Sequence, residues 1–511
     1  MRYLSTLVLL LIVVLWSSCR NDFESGPSTG NLQFSTDTLF LDTVFTNIGS
    51  STYRFKVYNR TDDDFTIPSI ALERGESSNY RLNVDGIPGK SFQNIQILAK
   101  DSIFVFVETT TDITQQTGDL EFLYTDRVLF DPTGIQQDVD LVTLVKDAVF
   151  LFPDRDEMTG EIETLPIEGI ETPLEGFFLD DTELTFTAEK PYVIYGYAAI
   201  PPDRTLTIEA GARIHFHAES GIIAANNATL LVNGALSTDP VAMENEVIFE
   251  GDRLEPGFSE IPGQWNGIWL TAGSTGHIIN HATIKNAVQG IRMDANDGGT
   301  DPTLTITNTQ IYNSSLFGLV SLTGNITGEN LVINNSGISS VRLSLGGTYN
   351  FNHCTFTNYW NNSFRDSPTV FVENFLEIEN GQALAADLTA NFTDCIIYGN
   401  ENLELTLRKV DNATFNYNFK NSLIRFNDVN GVFDDDALYD FTDNNIFENI
   451  ILNEEPEFKA PFDNKLNIGE TSAANGQAST PTSGSDILGT PRDLTAPDIG
   501  AYESVSFDIQ N

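Results

Sequence analysis

The chain has 511 residues, with 27 Lys+Arg against 72 Asp+Glu and a formal net charge of −45. Hydrophobic residues make up 41% and charged residues 19%, enough apolar material for a large core, which excludes wholesale disorder. The charge argues against nucleic acid and anionic lipid head groups as electrostatic partners, and suits divalent cations and neutral or cationic ligands. The length predicts two or three domains, or one long repeat array.

Met1-Arg2 precedes an apolar run from Leu4 to Trp16, followed by Ser17-Ser18-Cys19. A short basic start, an apolar segment and small residues are the parts of a secretory signal. The run is short for a membrane-spanning helix. Small residues directly before a Cys resemble a bacterial lipobox, with Trp16 where Leu is usual. That resemblance implies a lipoprotein signal peptide at 1–18, with Cys19 as the lipidated first residue of the mature chain. The alternative is an ordinary signal peptide with a chance Cys. Residues 19–30 form an acidic tether. Its start, Arg20-Asn21-Asp22-Phe23-Glu24, resembles the export tag of surface-exposed lipoproteins in the Bacteroidota. The implied address is the outer membrane, lipid-anchored and displayed at the cell surface. Only Cys354 and Cys395 remain downstream, so there is no disulfide framework.

Residues 31–150 read as short strands rich in Val, Phe, Thr and Leu, separated by Gly, Asn and Asp. This spacing predicts a β-sandwich. The segment resembles the Ig-like modules that precede binding or repeat domains in surface lipoproteins, and lacks the Cys…Trp…Cys pattern of antibody domains. Residues 151–176 are rich in Pro, Gly and Glu and predict a linker or loosely packed lead-in.

From residue 177 the chain repeats itself. Leu206-x-Ile208 matches Leu230-x-Val232. Further on, Ala282, Thr309, Leu331, Cys354, Cys395 and Ser422 form one column, spaced 27, 22, 23, 41 and 27 residues apart. Two positions later stand Ile284, Ile311, Ile333, Phe356, Ile397 and Ile424, so both columns share one strand face. A period in the low twenties with β-branched inward positions is one coil of a parallel β-helix. The residue before the first column is His281, Asn308, Asn330, His353, Asp394 or Asn421. These are the types that tolerate φ > 0, so they predict one left-handed bend per coil. Asn286, Asn313, Asn335 and Asn358, with Gly399, mark the next corner, where stacked amides can form a ladder. The 41-residue interval predicts a long loop or an extra irregular coil. Residues 177–505 thus resemble right-handed parallel β-helix repeat proteins, and Pro497–Glu503 (PDIGAYE) resembles the closing motif of many such helices. The expected fold is all-β: an N-terminal β-sandwich followed by a right-handed parallel β-helix.

Several groups could carry chemistry. His215-x-His217-x-Glu219 would project three polar groups from one strand face, where two imidazoles and a carboxylate can share a metal. The competing reading is a solvated outer strand face, which we favour. His281 and His353 are explained by the bend column, and His277 lies four residues before His281. Asp294, Asn296, Asp297 and Asp301 offer hard oxygen ligands for Ca²⁺, although Gly298 occupies a ligand position of the EF-hand register. Asp434-Asp435-Asp436 with Asp428 and Asp440 is a second acidic cluster. Trp265, Trp269, Tyr359 and Trp360 lie near corners and offer rings for stacking on sugar, against the alternative that they fill the core. Among the sparse basic residues, Arg292 and Arg342 are the candidates that a lyase would use, with Arg292 beside the acidic loop. No Ser/His/Asp arrangement and no phosphate loop is detectable. Cys354 and Cys395 read as buried thiols.

These features favour a lipid-anchored surface scaffold that binds a glycan or a cell-surface protein without catalysis and requires no cofactor. The alternatives are a Ca²⁺-assisted polysaccharide lyase or other glycan-active enzyme on the same fold, and a purely structural or adhesive component. A basic cleft would favour the enzyme, and an exposed aromatic strip would favour the binding scaffold.

Overall fold

The computed structural model describes residues 26–27, 32–131, 135–167, 169–378, 382–479 and 484–507. Cys19, the signal peptide expected at 1–18 and most of the tether lie outside the described residues. The chain is nearly all β and divides into two units between Asp147 and Ala148.

In the first unit two sheets enclose one core. The first runs Gly26–Pro27, Phe65–Leu72, Glu121–Phe130, Gln137–Lys146, Thr38–Phe45, with Ser91–Ile97 also paired to Phe65–Leu72. The second runs Gln33–Phe34, Tyr53–Tyr58, Ser102–Thr109, Tyr80–Val84, Ile87–Gly89. Alternation is strict in Ser102–Thr109, where Ile103, Val105 and Val107 are buried and the residues between them are partly exposed. This is the expected β-sandwich.

The second unit is a parallel β-helix of three sheets with eleven, nine and ten strands. Each regular coil gives one strand to each sheet in turn. Ala282–Lys285 belongs to the first sheet, Ala287–Met293 to the second and Leu304–Thr307 to the third. Both inward columns read from the sequence are fully buried along their whole length. The six bend residues, from His281 to Asn421, have φ between 44° and 53°, and Asn449 at 54° extends the series by one coil. The 41-residue interval contains a regular second-sheet strand, Val370–Glu373, and an antiparallel pair, Phe375–Ile378 with Gln382–Ala385. Cys354 and Cys395 are buried free thiols in neighbouring coils, and burial pushes Cys395 well above the usual thiol range.

Three segments outside the repeat cover what the coils leave open. Residues 151–176, expected as a linker or a loosely packed lead-in to the next domain, belong to the second unit. Val149–Leu151 already starts the first sheet, and Leu165 is buried with Tyr197, Ala199 and Ile223 on the outer face of the second. At the far end, Phe426, Phe433, Tyr439 and Phe441 pack on Phe447 beneath the Asp-rich loop. The C-terminal segment lies along the outer face of the first sheet. There Phe458, Ile499 and Ala501 pack on Val332, Ile396 and Leu423, and the Ala501 N–H donates to Thr355 Oγ1 at 2.9 Å.

His277 is fixed as a neutral base inside the third sheet. Its Nδ1 accepts from the Leu230 N–H at 3.0 Å, and Nε2 lies 3.0 Å from Ser274 Oγ. Burial pushes its pKa down to about 4, against a smaller opposing pull from Asp297. The unfolded value is about 6.5. Below that pH the unfolded chain therefore takes up a proton that the folded chain refuses. Stability is expected to fall as pH drops from about 6.5 to 4, by about 3 kcal/mol from this residue. Thermal midpoints measured across that window should show the slope in wild type and a flatter one in His277→Gln, which keeps an acceptor for Leu230.

Candidate functional site

Beyond the cover given by residues 151–176, the outer face of the second sheet is open. One register column runs Ala199, Ile223, Trp269, Arg292, Val320, Arg342, Phe371. Ala199 and Ile223 are buried under Leu165, and Trp269 begins the part that reaches solvent. The neighbouring column runs Tyr197, Gly221, Gly267, Gln289. Two glycines in register leave a hollow there. A Cβ at Gly221 would stand 2.8 Å from the Tyr197 ring and 2.5 Å from Gly267 O. Gly267 has φ +135°, and a Cβ on it would stand 1.7 Å from Gln289 O, so neither position accepts a side chain. Between Gly267 and Ile268 the pairing skips Gly290, a β-bulge that re-aims the strand.

The hollow is a pocket of about 200 Å³ lined by Tyr197, Asn266, Trp269, Gln289 and Arg292, among others. It is smaller than the roughly 300–1,000 Å³ of drug-sized sites, a size for one ring rather than a chain. The Tyr197 hydroxyl bonds Asn266, and burial raises its pKa. Arg292 lies over the Trp269 ring at 4.5 Å. Asp294 holds both in place: Oδ1 accepts from Arg292 Nε at 2.7 Å, and Oδ2 from Trp269 Nε1 at 2.5 Å. The pocket opens onto a stripe four rungs long, about 19 Å, ending at Phe371. On it Arg342 sits over Phe371 at 4.7 Å and donates to Glu373 at 2.9 Å. The Glu373 carboxyl is buried, also accepts from Ser344 at 2.8 Å and lies 3.4 Å from Arg408. Charges on the stripe therefore cancel in pairs, on a chain carrying −45.

The structure thus brings together Trp269, Arg292 and Asp294. Trp265 is elsewhere. It is fully buried, stacks on Phe216 at 4.0 Å and donates Nε1 to Lys285 O. Trp360 is buried, with Nε1 donating to Ser363, and Tyr359 packs edge-on against Phe458 and Phe462. In the acidic loop, Asn296 Nδ2 donates to Thr323 O and Asp297 accepts from Thr275 and the Gly299 N–H. The Thr275 bond is the largest cause holding Asp297 below the usual carboxylate range. Asp301 is exposed and offers its main-chain carbonyl to Asn325. His215 is buried, with Nδ1 3.3 Å from Gly251 O and 3.7 Å from Glu250. His217 meets Asp252 at 2.7 Å, and Glu219 takes a left-handed turn position with φ 62°. Among the described residues, no three His, Cys, Asp or Glu side chains converge as metal ligands. Sequence reasoning missed Tyr197, Asn266 and Gln289. The in-register glycines Gly221 and Gly267 were their signal, readable only once the coils are aligned.

No protein-family model matches the chain, and no curated protein matches its sequence. The catalytic unit of a thermostable GH87 α-1,3-glucanase from Streptomyces thermodiastaticus aligns over 72% of this chain and 79% of its own, at 11% identity and a TM-score of 0.21. A family 123 glycoside hydrolase from Clostridium perfringens aligns over 24% of this chain, at 7% identity and a TM-score of 0.17, and this chain spans only 30% of its length. The ASH/PapD-like domain of human CEP192 aligns over 25% of this chain and 92% of its own, at 11% identity and a TM-score of 0.16. Likenesses this distant carry no conclusion about activity.

Asp294→Asn should disturb the pocket without unfolding the protein. It replaces a charge-assisted bond to Arg292, at a cost of about 1–3 kcal/mol. Trp269 emission should shift while far-UV circular dichroism stays unchanged. An unaltered emission spectrum would mean that Asp294 does not position the ring.

Proposed function

We propose that this chain is a lipid-anchored cell-envelope protein whose β-helix binds a glycan on its second-sheet face without cleaving it. The observation that carries this reading is the lining of the Trp269 pocket. Aromatic walls from Trp269 and Tyr197 stand beside planar polar groups from Asn266, Gln289 and Arg292. Rings offer apolar area to the CH faces of a sugar, and planar amides and guanidinium groups match its hydroxyls. Pairwise-cancelled charge on the stripe favours a neutral glycan over a polyanion. Glycoside cleavage needs a carboxyl pair, about 5–5.5 Å apart for retention or 6.5–9.5 Å for inversion. None of the pocket's described lining residues is acidic. Asp294 and Glu373, two carboxylates beside the stripe that are each held by arginine, are three rungs apart, about 14 Å.

The remaining features belong to the same proposal. Lipid on Cys19 would tether the chain to the outer membrane, with the acidic residues after it directing display at the surface. The partners would be the membrane, through that lipid, and a polysaccharide or a cell-surface protein, with no nucleic acid. Binding would require no cofactor, and Ca²⁺ is the ion to include in assays.

Two measurements test this. The full chain in detergent is incubated with neutral and acidic polysaccharides, with and without Ca²⁺, and retention and cleavage are followed in the same samples. Retention without new chain ends, weakened about tenfold in Trp269→Ala, is the expected result. New reducing ends or unsaturated products would replace it with the glycan-active enzyme and make Arg292 the residue to test. Independently, cells fed labelled palmitate should label the wild-type protein and not Cys19→Ser.

A further inference from the structure

The outer face of the first sandwich sheet carries an apolar patch. Strand alternation sends Leu123, Val142, Leu144 and Phe40 outward from three neighbouring strands, Glu121–Phe130, Gln137–Lys146 and Thr38–Phe45. Register brings them together: Leu123 pairs with Leu144, and Val142 with Phe40. Phe40 is 63% and Leu123 56% exposed, and Val142 and Leu144 are partly exposed. The charges beside the patch are paired. Lys146 Nζ lies 2.9 Å from Glu121, and Arg127 meets both Glu73 and Asp138. An exposed apolar patch with a polar rim marks a surface that meets a protein or a membrane.

Size and tethering favour the membrane. The patch spans about 10 Å across its three strands and about 7 Å along them. That is far below the roughly 800 Å² per partner of a stable protein interface. Apolar side chains entering a bilayer interface need no such minimum, because each adds its own buried area. The tether ends on the same sheet. Gly26–Pro27 pairs in parallel with Phe65 and Thr66, and Gly26 stands seven residues after Cys19. A chain of that length spans at most about 25 Å. Lipid on Cys19 would therefore hold this sheet within about 25 Å of the bilayer. The strand that bears Phe40 is four strand spacings, about 19 Å, from Gly26–Pro27. A tether makes contact an intramolecular event, so a patch too small to recruit a free partner still engages a surface held this close. Arg20 is the only Lys or Arg from Cys19 to Tyr53, so this contact with lipid is apolar rather than electrostatic.

We propose that this patch is a bilayer contact, in which Phe40 and Leu123 enter the interface of neutral lipids and lay the sandwich against the membrane that holds Cys19. The inference rests on the lipid-anchor reading. The full chain, purified from membranes, is reconstituted into phosphatidylcholine vesicles with and without nitroxide-labelled acyl chains. Phe40→Cys, Leu123→Cys and Ile87→Cys each carry an environment-sensitive fluorophore. Ile87 lies on the other sheet of the sandwich and is 55% exposed, and Cys354 and Cys395 are buried and stay unlabelled. All three variants alter exposed side chains, and an unchanged thermal midpoint confirms their fold. Nitroxide lipid should quench emission at positions 40 and 123 about twofold and leave position 87 unchanged. Protein that floats with the vesicles but shows no quenching at 40 and 123, or equal quenching at all three positions, would overturn the proposal while upholding the anchor. So would a blue shift at position 40 that grows with protein density and is not quenched, which would make the patch a contact between copies. Wild-type protein that takes the fluorophore at Cys19 and fails to float would overturn the anchor and this contact with it.

Discussion

The β-helix depends on one backbone conformation repeated at one place. Between the third and first sheets the chain must turn within a single residue, and it does so in the left-handed region at seven successive corners, from His281 to Asn449. That conformation costs an ordinary L-residue roughly 1–2 kcal/mol, and Asn, Asp and His bear it best. Because these seven coils bend at the same point, the strands on either side stay in register and equivalent columns face inward. The stack Phe351, Phe392, Phe419, Phe447 follows directly, with ring centroids 5.4, 4.8 and 5.5 Å apart. The bend residues also bind one another, as when Asn330 Nδ2 donates to Asn308 Oδ1 at 3.0 Å. Turn geometry, core packing and the polar ladder are therefore consequences of the same residue choice.

Coils built this way bury their inner faces and leave three outer ones. What the outer faces do is set by the segments added to them. Residues before Gly176 close the first rungs of the second sheet, and the C-terminal segment closes much of the first sheet. The Trp269 pocket starts where the former cover stops. Several acidic residues hold the turns between elements. The hydroxyls of Thr182, Thr442 and Thr495, then main-chain N–H groups, hold the pKa values of Asp180, Asp440 and Asp493 low, and main-chain N–H groups ahead of Asp156 and Asp428 do the same for those two. In the Asp-rich loop, Asp436 caps a short turn through the Leu438 N–H, and Asp428 accepts from the Phe433 N–H.

The inward columns were legible because strand parity and the bend residue both repeat. The candidate site was legible only in part, and Trp265 and Trp269 show why. They stand four apart on one strand, so a period of two puts them on the same face. The bulge at Gly267–Ile268 breaks that parity. Trp265 turns into the core and Trp269 faces out, an outcome that the local sequence does not encode. Tyr197 and Gln289 acquire meaning only from the coils above and below them. The covering segments were legible only in part: Pro497–Glu503 reads as a closing motif, but where Ile499 and Leu165 pack does not, because they follow no repeat and meet residues far away in sequence.

A stack of parallel strands also limits what chemistry its surface can host. Side chains in one column are about 4.8 Å apart per rung, and the ladder's hydrogen bonds fix that spacing. Asp294 and Glu373 cannot approach one another unless three rungs of the second sheet come apart. Each is already neutralised in place, the first by Arg292 and the second by Arg342 and Arg408. Freeing either for proton transfer would leave a guanidinium unpaired and a carboxyl short of donors, at several kcal/mol for the buried Glu373. The same rigidity helps a binding surface, since rings and amides held in register lose little freedom when a ligand settles on them. A face that fixes its charges in pairs and holds its side chains in strand register is therefore pre-organised along the whole stripe.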